Sequence, residues 1–253
     1  MVLESLSFTN TLYAFDFDGT LAKIVHIPSE ACMTSKTEGL LKELSSLAPV
    51  AIVTGRSIQD LKKRLSFQPQ YLVGNHGLER PENDSSSLFE AKRICTVWIE
   101  SLKKITFESG IEIEDKTYSI AIHYRRSRNK TRAKNQIRLA IASLAPPPRI
   151  IAGKSVYNLL SSNSPHKGAA ILDLMQKSRT NHAFYIGDDD TDEDVFGLPY
   201  NAGQLMTVRV GQKKSSRAKY FIRRQSDINR LLKDIIRFHR HCLKHTSREA
   251  HSE

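Results

Sequence analysis

At 253 residues the chain exceeds an average domain, which leaves open one large domain or a domain carrying an insertion. With 40 % apolar and 26 % charged residues, and no apolar run near the roughly 18 residues a span requires, it does not read as a membrane-spanning helical protein. The net charge of +11 is concentrated late: residues 209–253 carry 13 Lys and Arg against 4 Asp and Glu, a balance compatible with nucleic acid, an anionic membrane or a phosphorylated small molecule.

The opening MVLESLSFTN lacks the basic region and apolar stretch of a signal peptide. Cys32, Cys95 and Cys242 are scattered and odd in number, so reduced thiols in a cytoplasmic chain are expected. Leu12 to Phe15 reads as a short buried strand that delivers aspartates at its carboxyl end. Ser35 and Glu38 have the spacing of a capping box ahead of a helix with Leu40, Leu41, Leu44 and Leu47 on one face, closed by Pro49. A strand over Val50 to Thr54, a helix over Ser57 to Leu65 opened by a Ser/Asp pair, and a strand over Tyr71 to Val73 complete a βαβαβ pattern.

Beyond residue 80 the polar stretch PENDSSS breaks this rhythm. The next unit reads helix (Leu88 to Lys104), strands (Ile111 to Glu114, Tyr118 to Tyr124), helix (Lys130 to Ser143) and strands (Arg149 to Ala152, Ser155 to Leu160). The first pattern then resumes with a helix from Lys167 to Gln176 and strands Ala183 to Gly187 and Met206 to Val210. A basic amphipathic helix follows from Ile228 to Leu243, its apolar side formed by Leu231, Leu232, Ile235, Ile236 and Leu243. The expectation is an α/β protein with a doubly wound parallel sheet over 1–80 and 161–253, interrupted by a smaller α+β cap over 81–160.

FDFDGT places Asp16 and Asp18 at a strand end, where both can approach one site while Gly19 lets the backbone turn. GDDDTDEDVF gathers Asp188, Asp189, Asp190 and Asp192 at another strand end, and so many carboxylates repel one another without a cation. Hard oxygen ligands favour Mg²⁺ over zinc, and which of Asp189, Asp190 and Asp192 assist the metal is left open. An acidic helix start capped by Thr191 is compatible with the same residues. Thr54 and the Gly55 amide can contact a phosphoryl oxygen, and Lys167 can neutralise both Asp16 and an anionic substrate.

These four motifs, in this order, resemble those of the haloacid dehalogenase-like phosphohydrolases, and beyond them the trehalose-6-phosphate phosphatases. The resemblance spans DFDGTLA (16–22), VTGRS (53–57), GNHGLE (74–79), HYR (123–125), GKSV (153–156), HKGAA (166–170) and GDDDTDEDVF (187–196). It implies that Asp16 is the nucleophile and Asp18 the acid and then base, with Thr54 and Lys167 completing the catalytic set. It implies Mg²⁺ held by Asp16, the Asp18 carbonyl and Asp188. Substrate contacts are implied for Gly19, Gly55, Arg56, Asn75, His76, Glu79, Glu114, Lys116, Arg125 and Lys154, under a cap that closes over a sugar. One departure stands out: Lys154 is followed by Asn158, Leu160 and Ser161 where the family continues to a Glu and then Arg-Pro. The expected substrate is therefore a small sugar phosphate, trehalose 6-phosphate first, with another disaccharide or glycosyl-glycerate phosphate as alternative. A reading from another class is nucleic-acid binding through the C-terminal helix and the run Arg125, Arg126, Arg128, Lys130, Arg132, Lys134 and Arg138. It leaves both acidic clusters unexplained, and few aromatics accompany those charges. No membrane partner is expected, and the oligomeric state is not readable.

Overall fold

The computed structural model describes residues 2–7, 9–25, 27–80, 85–199 and 204–249, without the side chains of residues 2, 85 and 243–249. Its elements are α1 (Val2–Ser7), β1 (Thr11–Phe15), α2 (Ser35–Ser45), β2 (Val50–Val53), α3 (Ile58–Lys62) and β3 (Tyr71–Val73). Then come α4 (Ser85–Lys103), β4 (Glu112–Asp115), β5 (Ile120–His123), α5 (Lys130–Ala142), β6 (Arg149–Gly153) and β7 (Val156–Leu160). The chain ends with α6 (Lys167–Lys177), β8 (His182–Gly187), α7 (Glu193–Phe196), β9 (Leu205–Val210), β10 (Tyr220–Ile222) and α8 (Ile228–Glu249).

Six strands form one parallel sheet in the order β10-β9-β8-β1-β2-β3, and β4-β5-β7-β6 form a separate antiparallel sheet. The chain leaves β1 toward β2 and β3 and later returns to its other side with β8, so the strand order reverses between β1 and β8. Clefts for ligands open at the carboxyl ends of strands at such a reversal. Alternation along β1 builds both faces of the large sheet. Tyr13 and Phe15 pack with Leu41 and Leu44 of α2 and Ile228, Leu232 and Ile235 of α8. Leu12 and Ala14 pack with Ala170, Ile171 and Leu174 of α6. Both sides of β1 are therefore covered, which explains a strand buried along its whole length, the Thr11 hydroxyl at its start being bonded to the Leu6 carbonyl. The small sheet is covered on one face by α4 and α5, where Trp98, Ile137 and Ala133 meet Ile120, Ile122 and Leu159. The buried Trp98 indole donates to the Pro146 carbonyl at 2.8 Å.

Several local expectations need correction. The cap of α2 is Thr34, whose hydroxyl accepts the Thr37 amide at 3.1 Å, while Glu38 reaches out to the Ser66 amide at 2.5 Å. With hydroxyls at both 34 and 35, the extended backbone of Thr34 decides which one caps. Ser57 caps α3 as expected, but that helix ends at Lys62. The elements α1 and β10 lacked a readable pattern. Residues 81–84 of the expected breaker and the Leu243 side chain lie outside the described residues. No helix among the described residues is long and apolar enough to cross a membrane. None of the three cysteines is in a disulfide, and burial pushes the Cys95 thiol up to about 12, in keeping with a small apolar core residue.

Candidate active site

The registers Phe15 to Ile186 and Phe15 to Ile52 bring the ends of β1, β8 and β2 level. Asp16, Asp188 and Thr54 therefore emerge side by side, beside Lys167 at the start of α6. One cavity is lined by core residues Asp16, Asp18, Thr54, Gly55, Arg56, His76, Lys167 and Asp188 and, from the small sheet's side, by Glu114, Lys116, Arg125, Lys154 and Asn158.

At its floor Lys167 Nζ donates to Asp16 Oδ1 at 2.7 Å and to Asp192 Oδ1 at 2.8 Å, with side-chain exposures of 2 % for Lys167 and 7 % for Asp16. Tyr185 donates to the same Asp192 oxygen at 2.6 Å, and the Asp189 amide donates to the other at 2.8 Å. Burial, together with Asp192 and Asp188, pushes Asp16 well above the usual carboxylate range against the pull of Lys167. Burial opposes the charge of Lys167, but Asp16 and Asp192 outweigh it and hold the ammonium well above its ordinary value. Burial and the neighbouring Asp192 push Asp188 up to about 6.

Three carboxylates around one buried ammonium leave an excess of negative charge. Oxygens of Asp16, Asp188 and Asp192 lie within 4.8 Å of one another. Asp188 Oδ1 is buried and makes no hydrogen bond. The loop of Gly19, at φ +88°, passes so close that a Cβ there would sit 2.3 Å from the Asp188 carboxylate. An all-oxygen, electron-rich donor set with one open buried oxygen fits a hard divalent cation. Of the three aspartates left open by the sequence, Asp192 is the one whose carboxylate joins the cluster in space. Since its oxygens are taken by Lys167, Tyr185 and the Asp189 amide, the open donor belongs to Asp188. Asp189 caps the following turn, in place of Thr191, and Asp190 pairs with Lys213, which separates both from the cluster. Beneath the loop, buried Arg209 donates to the Asp188 carbonyl at 2.6 Å and the Asp189 carbonyl at 3.1 Å.

Asp18 is gripped by Arg56, whose Nε and Nη2 donate to its two oxygens at 2.6 and 2.7 Å. His76 covers Gly55 so tightly that a Cβ there would lie 2.4 Å from the ring. Both ring nitrogens of His76 are buried, and the Asn158 side chain lies beside them. Burial and the charges of Lys116, Lys167 and Arg149 hold its imidazole well below the ordinary histidine range, so it is neutral.

Lys116 Nζ crosses from the small sheet to the Gly55 carbonyl at 3.1 Å and to Asn158 Oδ1 at 3.3 Å. Arg125 donates to the Val25 carbonyl at 2.8 Å and Lys154 reaches Asp188 at 3.4 Å. Glu114 meets His123 at 2.8 Å, a partner the sequence reading missed, and that hydrogen bond holds its carboxyl below its ordinary value.

Asn75 and Glu79 do not line the cavity. Glu79 accepts the Ile58 amide at 2.9 Å and the Asn75 side-chain amide at 2.7 Å, and Asn75 also accepts from Ser119. Both are consumed in holding a turn in which Asn75 and His76 take φ of 46° and 57°. Gly19 acts by letting the loop approach Asp188. The basic run named for nucleic acid is partly paired, Arg126 with Glu112 and Arg132 with Glu108, while Arg125 points to the cavity. On α8, Arg237 pairs with Asp234 and Arg240 with Glu43.

The profile of the trehalose-phosphatase family matches residues 14–226. The chain belongs to that family. Trehalose-phosphate phosphatase B of Arabidopsis thaliana is 28 % identical over 246 residues, covering 89 % of this chain and 66 % of the plant protein. The trehalose-phosphate phosphatase of Mycobacterium ulcerans is 28 % identical over 219 residues, covering 81 % of this chain and 56 % of its own. The chain thus spans about half to two thirds of these relatives' length. Among solved structures, the C-terminal domain of the C. albicans trehalose-6-phosphate phosphatase superposes with a TM-score of 0.71 at 22 % identity, covering 93 % of this chain and 95 % of that one. The Synechocystis sucrose-phosphatase gives 0.57 at 19 % identity, covering 91 % and 98 %. These likenesses establish the fold, a six-stranded parallel α/β sheet joined to a separate antiparallel sheet, and the family is one of phosphoric monoester hydrolases.

Proposed function

We propose that the chain is a Mg²⁺-dependent sugar-phosphate phosphatase working through an aspartyl-phosphate on Asp16, with trehalose 6-phosphate as substrate. The observation that carries this reading is the buried Lys167–Asp16 pair at the floor of a cavity shared by core and cap. A carboxylate approaches an anionic phosphoryl group only where cations cancel the repulsion. Asp16 attacks phosphorus, the bond to the sugar oxygen breaks, and Asp18 gives that oxygen its proton. Asp18 then takes a proton from water as the water attacks the phosphoryl group, releasing phosphate and restoring Asp16. Thr54, the Gly55 amide and Lys167 hold phosphoryl oxygens. Asp16 and Asp188, oriented from below by Asp192, would hold Mg²⁺ together with the Asp18 carbonyl. When bound, the ion lowers the repulsion between carboxylate and phosphate and polarises a phosphoryl oxygen.

Residues 81–160 act as the cap in this reading, with 1–80 and 161–253 as the catalytic unit. Glu114, Lys116, Arg125 and Lys154 meet the sugar and Arg56 lies at the junction. Asn158, an amide where the family has a carboxylate, keeps another disaccharide or glycosyl-glycerate phosphate as the alternative. Three cysteines outside any disulfide accord with a cytoplasmic setting. Incubation with Mg²⁺ and a panel of sugar phosphates should release phosphate fastest from trehalose 6-phosphate. Asp16→Asn should abolish release while leaving the fold intact; turnover retained by that variant, or undiminished in excess chelator, would overturn the mechanism.

A further inference from the structure

Asp60 lies outside every motif that carries chemistry, yet it sits at the centre of a chain of charges ending at Asp18. Arg56 makes four hydrogen bonds: two to Asp18, one from Nη1 to Asp60 at 2.7 Å and one from Nη2 to the Pro28 carbonyl at 2.8 Å. Asp60 is gripped from its other side by Arg64, at 3.0 Å from Nε and 2.7 Å from Nη2. Arg64 is tied in turn to the Ser29 and Ala31 carbonyls at 2.6 and 3.1 Å. The spacing of 56, 60 and 64 puts the three side chains on one side of the short helix α3 and the turns that flank it, where residues four apart are neighbours.

A guanidinium is a planar fork, so fixing one edge fixes the direction of the other. Asp60 takes one terminal nitrogen and Asp18 the opposite edge. Burial works against the charge of Asp60, but the bonds from Arg64 and Arg56 hold its carboxyl below the usual range, so it stays an anion able to anchor the fork. Without that anchor the fork keeps Asp18 itself, the Pro28 carbonyl and the Phe17 ring, whose centroid lies 5.7 Å from its central carbon, and none of these holds Nη1.

We propose that Asp60, braced by Arg64, is a positioning residue for catalysis: it aims the Arg56 fork and through it the carboxylate of Asp18. The assignment rests on the reading of Asp18 as the proton carrier. Asp60 touches neither substrate nor the reacting atoms, so its loss should alter the steps that need Asp18 and spare substrate binding.

Rapid-mixing kinetics on Asp60→Asn separates these steps. With p-nitrophenyl phosphate, whose leaving group needs no proton, formation of the phosphoenzyme should stay within twofold of the parent. Its hydrolysis should slow about ten- to a hundredfold, the cost of misplacing a catalytic group. Phosphoenzyme should then accumulate and be visible by intact mass after acid quench. With the sugar phosphate the first step should slow as well, KM remaining within twofold. Added guanidinium should restore part of the turnover of Arg56→Ala when Asp60 is present and none when Asp60 is Ala. If Asp60→Asn fails to fold, Asp60→Glu, which keeps the charge and displaces the carboxylate, takes its place. Both rate constants unchanged would overturn the proposal, as would a smaller burst with unchanged rate constants, the mark of mere structural support. Asp18→Asn is the control: normal turnover there sinks the reading of Asp18 itself, whereas an inactive Asp18→Asn beside a normal Asp60→Asn sinks only the role of Asp60.

Discussion

The two walls of the cavity are built on opposite principles. On the core side Asp16, Lys167, Asp192 and Tyr185 are buried and bonded to one another, so no member can move without leaving a partner exposed to an apolar surrounding. On the cap side Glu114 and Lys154 are 47 % and 65 % exposed, and Lys116 and Arg125 lean largely on backbone carbonyls. Side chains held that way can be exchanged at little cost to folding. In the proposed reading this contrast puts the phosphoryl chemistry on the core side and the choice of leaving group on the cap side.

The most severe break should come from Lys167→Ala. It removes a donor facing the reacting phosphoryl group, worth about 3 to 4 kcal/mol in related cases. It also strands Asp16 and Asp192 as buried charges, a destabilisation of about 3 to 5 kcal/mol. Turnover and the midpoint of denaturant unfolding should both fall; a drop in turnover below threefold would reduce Lys167 to a helix residue. The cap should behave differently. Alanine at Glu114, Lys116, Arg125 or Lys154 should leave the unfolding midpoint close to the parent and lower efficiency on the sugar phosphate by roughly 1.5 to 3 kcal/mol, the worth of a charged hydrogen bond. p-Nitrophenyl phosphate, which has little to offer the cap, should lose much less. Asn158→Glu sharpens the same point, since it should raise efficiency on trehalose 6-phosphate if a carboxylate there grips glucosyl hydroxyls. Equal losses on both substrates would erase the distinction between the walls.

The smallest expected effect concerns the acid sensitivity of the core. His239 on α8 is bonded to the Tyr13 hydroxyl at 2.9 Å, and burial lowers its ring below the ordinary value of 6.5. The unfolded chain therefore takes up this proton first. Stability should be full above pH 6.5, fall as the pH drops from there and level off below the folded-state value. His239→Gln, which keeps a hydrogen bond and removes the titration, should flatten this part of the curve in thermal melts from pH 7 to 5. An unchanged slope would show that His239 is not responsible.

The parts of this arrangement readable from sequence were those carried by local pattern. Short apolar strands ending in aspartate announced the parallel sheet and its carboxyl-end cleft, and the change of rhythm after residue 80 announced a second sheet. Partnerships across long separations stayed hidden: nothing local to Asp192 shows that it shares Lys167, 25 residues earlier, with Asp16. The pairing of Glu114 with His123 required the β4–β5 register, which places His123 opposite Glu112 and diagonal to Glu114. Three-residue β10 and six-residue α1 are too short to show a period. Asn75 and Glu79 were visible as a motif while their bonds to each other, Ile58 and Ser119 were not, because a stretch rich in Gly, Asn, His and Glu looks the same whether its polar groups face a ligand or each other.

That turn says something about how such proteins are recognised across lineages. Residues 74–79 bend through three positive-φ positions, Asn75, His76 and Gly77, bind the first amide of α3 through Glu79 and reach Ser119, in the turn between β4 and β5, through Asn75. The letters are pinned by the joint they form, whatever sugar lies nearby. A match at GNHGLE therefore reports kinship of architecture, and evidence about the sugar has to be sought at residues that line the cavity, such as Asn158.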